Sequence, residues 1–76
     1  MDIRDIFAAN LRYLRRQTYM SQEKLALTAG VGRTYLSRIE KGGYYASLRI
    51  IERLAKALNV EPAALLAVRK KSVRRR

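Results

Sequence analysis

The chain has 76 residues, enough for one domain with a thin stability margin, and 49% of them are hydrophobic, which excludes a disordered polymer. A net charge of +11, from 17 basic and 6 acidic residues, favours a polyanionic partner, either nucleic acid or an anionic membrane surface. With no histidine and no cysteine, disulfides, thiolate metal sites and Ser-His or Cys-His nucleophile pairs are excluded; the scattered acids and the lack of a phosphate-loop pattern argue further against an enzyme, a metal or a cofactor.

Hydrophobic spacing is helical along the chain, with no sustained alternation of the kind a strand needs. The first helix is expected from about Ile3 to Gln17, where Ile3, Ile6, Phe7, Leu11 and Leu14 form one apolar stripe. Asp2 is placed to cap it, with Asp5 three residues on as the second half of a capping box. Thr18-Tyr19-Met20 breaks the pattern, and Ser21 offers an N-cap oxygen to a second helix, about Gln22 to Thr28, with Leu25 and Ala26 facing inward. Gly30 can take the left-handed conformation that a tight turn requires.

A third helix follows from about Arg33 to Lys41, with Leu36 and Ile39 as its buried pair. Gly42-Gly43 ends it, a loop runs to Ala46, and Ser47 caps a fourth helix through Leu58. The inner stripe of that helix is expected to be Leu48, Ile51, Leu54, Ala55 and Leu58. Asn59 suits a left-handed stop, and Pro62 suits the first position of a short fifth helix reaching about Ala67. Residues 1–68 make the domain, and 69–76, with six basic residues, form a tail too poor in apolar groups to order itself. That tail reads either as a solvated end or as an arm that adds phosphate or minor-groove contacts.

The informative stretch is Gln22 to Ile39: two short helices joined by a turn containing Gly30. Ala26 is small where the helices must cross closely, and Val31, Leu36 and Ile39 would fix the crossing. Opposite Leu36 and Ile39, the residues Arg33, Thr34, Ser37, Arg38 and Lys41 share one outward face. All of them can donate hydrogen bonds and none is acidic. Arginine can bond both major-groove acceptors of guanine at once, and threonine offers a methyl to thymine as well as a hydroxyl.

This pattern resembles the phage Cro and repressor type of helix-turn-helix regulator, also called the XRE type. The resemblance runs from about Ile6 to Leu66. It rests on Leu14-Arg15-Arg16, Met20-Ser21-Gln22-Glu23-Lys24-Leu25-Ala26, Ala29-Gly30-Val31, the run from Arg33 to Gly42, and Leu54-Ala55-Lys56-Ala57-Leu58-Asn59-Val60. It implies an all-α, compact five-helix bundle of the lambda-repressor-like kind, paired subunits and control of transcription. By that resemblance Arg33, Thr34, Ser37 and Arg38 match base-reading positions, Gln22 matches a backbone-contacting residue, and Lys41 with the following loop matches further phosphate contacts. Arg15 and Glu40 match a pair joining the first helix to the end of the third; both also lie at the edge of an apolar stripe, where an unpaired charge is costly.

Other residues carry two readings. Ser21 and Gln22 serve as a helix start and as phosphate contacts. The Tyr35 hydroxyl is beside the reading face, within reach of a phosphate. Tyr44 and Tyr45 either touch DNA backbone or line a contact between subunits. Leu65, Leu66 and Val68 either finish the core or belong to such a contact. The chain departs from the family pattern at Tyr19, where glycine is usual, so the first interhelical turn is expected to be strained. It departs again at Tyr45-Ala46, in place of Asn-Pro, and at Glu61, a weaker cap than the usual serine or aspartate.

The expected function is a sequence-specific regulator of transcription. It would be a repressor that binds double-stranded DNA as a homodimer over a pseudo-palindromic operator. Acids at the N-terminus and the lack of an apolar run of roughly 20 residues argue against secretion and membrane insertion, and for a cytoplasmic, nucleoid-associated protein. Three other readings stay open: an antitoxin or a restriction-modification controller of the same fold; an adaptor that captures a protein and does not read DNA; and a cationic membrane-active peptide, which the caps and inward stripes oppose. A protein partner, a toxin or polymerase, is left open.

Overall fold

Each longer helix begins where the chain supplies an acceptor or a glycine for its first turn. The computed structural model describes residues 2–68, and these contain α1 (Ile3–Gln17), α2 (Gln22–Ala29), α3 (Arg33–Lys41), α4 (Leu48–Leu58) and α5 (Pro62–Leu66). Asp2 accepts from the Arg4 amide at 2.9 Å, Ser21 Oγ from the Lys24 amide at 3.0 Å, and Ser47 Oγ from the Ile50 amide at 3.2 Å. Gly30 and Asn59 stop α2 and α4 in the left-handed conformation. Glu61 makes no side-chain capping bond, as its type suggests, and Pro62 stands in the first turn of α5 instead.

α1 packs against α3 and α5, α2 against α3 and α4, and α4 against α5. Inside lie Phe7, Leu11, Leu25, Leu36, Ile39, Leu54, Leu58 and Leu65, each almost or wholly closed to solvent. Each large apolar side chain buried here contributes about 1.5–3 kcal/mol against the cost of ordering the chain. Ala26 is 3% exposed, so a larger residue has no room where α2 meets its neighbours. No helix among the described residues is long and apolar enough to cross a membrane.

Three details differ from the reading of the sequence. Leu48 is 81% exposed and is not part of the inner stripe of α4. At 3.6 residues per turn it points about 70° away from the mean direction of Ile51, Leu54, Ala55 and Leu58. It therefore rims an open groove with Pro62 and Leu66. Ile3 and Leu66, at the ends of their helices, are likewise only partly covered. Finally, Asp5 takes no part in a capping box; its carboxylate lies against Gly42, across the bundle.

Asn10 supplies a bond that the sequence pattern does not reveal. It is buried on α1, and its Nδ2 donates to the Leu65 carbonyl at 2.9 Å and to the Ala67 carbonyl at 2.7 Å. Carbonyls at a helix end lack partners within the helix, and Asn10 satisfies two of them while docking α5 on α1. The strain expected before α2 is present: Tyr19 has φ 59° and a side chain 95% exposed. The expectations for residues 69–76 lie outside the described residues.

Candidate nucleic-acid interface

α3 is set by its apolar edge. Leu36 and Ile39 are fully buried and Glu40 is 3% exposed, so the opposite side must face out. Arg33, Thr34, Arg38 and Lys41 are exposed, while Ser37 and Tyr35 are half-buried, with Tyr35 also packed on the core. Among the described residues none of these six makes a side-chain hydrogen bond or ion pair within the protein. The result is a three-fold cationic surface with two hydroxyls and a phenol, and no carboxylate satisfies it from within. The N-cap of α3 is Gly32, which offers no side-chain acceptor, so the first-turn amides also keep donors for an external anion.

The turn between α2 and α3 is held on both sides. The amides of Gly30 and Val31 donate back to the carbonyls of Leu27 (3.3 Å) and Ala26 (3.0 Å), with Gly30 at φ 73°. From α4, Arg53 Nη1 donates to the Gly30 carbonyl at 3.3 Å. The angle at which α3 leaves α2 is thus fixed by backbone bonds and by a third helix.

The far end of α3 is tied by charge. Arg15 Nε donates to Glu40 Oε2 at 2.7 Å and Nη2 to Oε1 at 3.1 Å, while Nη1 donates to the Met20 carbonyl at 2.9 Å. Arg12 donates to the Glu40 carbonyl through Nη1. Gln22 Nε2 donates to Glu40 Oε1 at 3.0 Å. Of the anticipated backbone contacts, Gln22 donates through Nε2 to the Glu40 carboxylate and Ser21 Oγ accepts the capping bond of α2, while Ser21 stays exposed and Gln22 half-buried.

Beyond α3 the chain turns through Gly42 and Gly43, at φ 93° and 85°. Tyr44 is about half exposed and Tyr45 is 73% exposed. Arg4 Nη1 donates to the Gly43 carbonyl at 3.1 Å, and the Arg4 guanidinium lies 4.8 Å from the centre of the Tyr45 ring. Arg4 is itself paired with Asp2, at 2.6 Å between Nη2 and Oδ2. The hydrogen bond from the Arg4 side chain, seconded by the one from its amide, lowers the Asp2 carboxyl to about 2. Arg4, Arg12 and Arg53, to which the sequence pattern assigns no role, hold the segments at both ends of α3.

Comparison with known proteins agrees with this architecture. The profile of the helix-turn-helix family matches residues 11–65. Control protein C.BamHI of Bacillus amyloliquefaciens is 46% identical over 66 residues, covering 86% of this chain and 82% of that protein. The crystal structure of the restriction-modification controller protein C.AhdI from Aeromonas hydrophila has a TM-score of 0.78 at 40% identity, covering 82% of this chain and 94% of the other. The crystal structure of the hypothetical transcription factor NHTF from Neisseria gives a TM-score of 0.84 at 39% identity, covering 88% of this chain and 77% of the other. With the turn, the outward cationic helix and these relatives in agreement, the chain belongs to the helix-turn-helix family, as a transcriptional regulator of the XRE type.

Proposed function

We propose that this regulator reads a pseudo-palindromic DNA operator as a homodimer, with α3 in the major groove of each half-site. Arg33, Thr34, Ser37 and Arg38 contact base edges; Lys41, Tyr35 and Tyr44 contact phosphates, with Ser21 and Gln22 at the start of α2 beside them. The observation that carries the reading is the outward side of α3, cationic, rich in donors and uncommitted among the described residues. Symmetric subunits would read half-sites about 34 Å apart. Support for pairing comes from the exposed Leu48, Leu66 and Val68, apolar side chains that a second subunit would cover. Blocking of polymerase is the simplest outcome of such binding; DNA as partner fits a cytoplasmic, nucleoid-associated protein, and a chain with no histidine or cysteine fits a binding role rather than a catalytic one. Residues 69–76 form a basic tail to the domain of residues 1–68 and add phosphate contacts.

Selection of bound sites from a random DNA pool tests this directly. Arg38→Ala should relax preference at one base pair per half-site, and Lys41→Ala should weaken binding to all sequences alike. If both variants merely scale affinity, base reading by α3 is wrong. Sedimentation that finds only monomers at micromolar concentration, with and without the selected DNA, refutes the dimer. Removal of residues 69–76 should reduce the slope of log affinity on log salt.

A second reading narrows the biology. Similarity to C.BamHI and to the restriction-modification controller C.AhdI favours a controller of a restriction-modification system. A selected operator lying upstream of restriction or methyltransferase genes supports it, and an operator elsewhere refutes it.

A further inference from the structure

The loop between α3 and α4 is poorly held by its own backbone. Gly42 and Gly43 both have positive φ, and residues 43–46 make no backbone–backbone hydrogen bond among the described residues. A largely apolar, half-open pocket of about 170 Å³ adjoins the loop, where Tyr44, Tyr45 and Ala46 face Ile3, Arg4 and Phe7 of α1. A segment with so few buried contacts and bonds should move readily.

One side chain opposes that. Arg4 provides the single hydrogen bond from the rest of the described fold to residues 43–46, on the Gly43 carbonyl, and stacks on Tyr45. Its own direction is set from behind, because Nε and Nη2 are taken by Asp2, which caps the same helix. Carboxylate, carbonyl and ring meet the planar guanidinium together. A lysine ammonium has neither the fork nor the flat face to serve all three.

We propose that Arg4 is a positioning residue for DNA binding: it locks the loop of residues 43–46 so that Tyr44 meets the DNA backbone beside Lys41. The inference rests on the DNA-reading function proposed above. Arg4 reaches no base and no phosphate in this scheme; it lowers the cost of ordering a glycine-led loop when the complex forms. Base preference, set by α3, does not depend on it.

The test compares the full chain with Arg4→Gln, Arg4→Lys, Tyr44→Phe and the Arg4→Gln/Tyr44→Phe double variant. Backbone ¹⁵N order parameters are measured without DNA, and affinity and phosphate-ethylation interference on the site selected by the parent protein. In Arg4→Gln the order parameters of residues 43–46 should fall while those of α1 and α3 stay unchanged. Affinity should fall about three- to tenfold, the range expected for one lost hydrogen bond. Interference should vanish at the phosphate that Tyr44→Phe also loses, base preference should be retained, and the double variant should bind no more weakly than Arg4→Gln alone. Arg4→Lys should behave like Arg4→Gln. Unchanged order parameters, additive losses in the double variant, or full rescue by lysine would each overturn the inference, the last by making Arg4 a charge directed at DNA. A parent chain that enriches no DNA from the pool would instead refute the DNA-reading function, and this inference with it.

Discussion

Replacing Arg15 with methionine keeps most of the aliphatic bulk but strands the Glu40 carboxylate, which is 3% exposed and receives two of its hydrogen bonds from Arg15. Breaking a buried pair from one side typically costs about 3–5 kcal/mol, because the remaining charge has neither water nor a counter-ion. Gln22 still donates to Oε1, which places the expectation at the lower end, near 3 kcal/mol. A domain of 76 residues has a total stability of about 4–11 kcal/mol, so about a quarter or more of it would be lost. At about 4–8 °C per kcal/mol for this size, Tm should fall by more than ten degrees. Urea titration followed by circular dichroism at 222 nm, with a thermal scan in the same buffer, measures both. The double variant Arg15→Met/Glu40→Met removes the orphaned charge along with its partner and should recover most of the loss. Arg15→Met within about 1 kcal/mol of the parent, or a double variant weaker than the single, would show that solvent reaches Glu40 and that the pair is not a structural tie.

Other perturbations test the backbone and the N-terminal cap. Tyr19→Gly should raise stability by about 0.5–1 kcal/mol, since a left-handed residue other than glycine is strained and the tyrosine side chain is nearly all in solvent; a lower urea midpoint would contradict this. Gly42→Ala should destabilise by about 1–3 kcal/mol and by more than Gly30→Ala. Both positions have positive φ, but only at Gly42 does a β-carbon meet a neighbour, Asp5 Oδ1 at 2.9 Å, and equal losses in urea would argue against that close approach. The Asp2 carboxyl is depressed from 3.8 to about 2, so its stabilising effect is complete above about pH 4 and disappears as pH falls toward 2. Nuclear magnetic resonance titration of Asp2 should show the low midpoint, and Arg4→Gln should move it upward; a midpoint near 3.8 in the parent chain would refute the contact.

Helix boundaries were largely legible because each is written locally: Asp2, Ser21 and Ser47 supply caps, and Gly30 and Asn59 supply left-handed stops. The outward side of α3 followed from the spacing of Leu36 and Ile39. Arg15 and Glu40 could be found too, since both stand at the margins of apolar stripes. Leu48 lies outside the stripe because a spacing of three from Ile51 leaves it at the margin of the apolar face, about 70° from the centre of the buried residues, where no helix covers it. The roles of Asn10, Arg4, Arg12 and Arg53 were invisible for a different reason. Each bonds a carbonyl 23 to 57 residues away, and a carbonyl leaves no mark in the sequence.

The bond from Asn10 to the final helix bears on how the protein forms during synthesis. A five-residue helix has no stability by itself, so α5 can exist only against α1 and α4, and α1 is separated from it by most of the described chain. A growing polypeptide lacking residues 62–67 leaves Asn10 unpaired and Leu65 absent from the interior. The bundle therefore closes only after residues 62–67 have left the ribosome, and products truncated before them should be open to proteases.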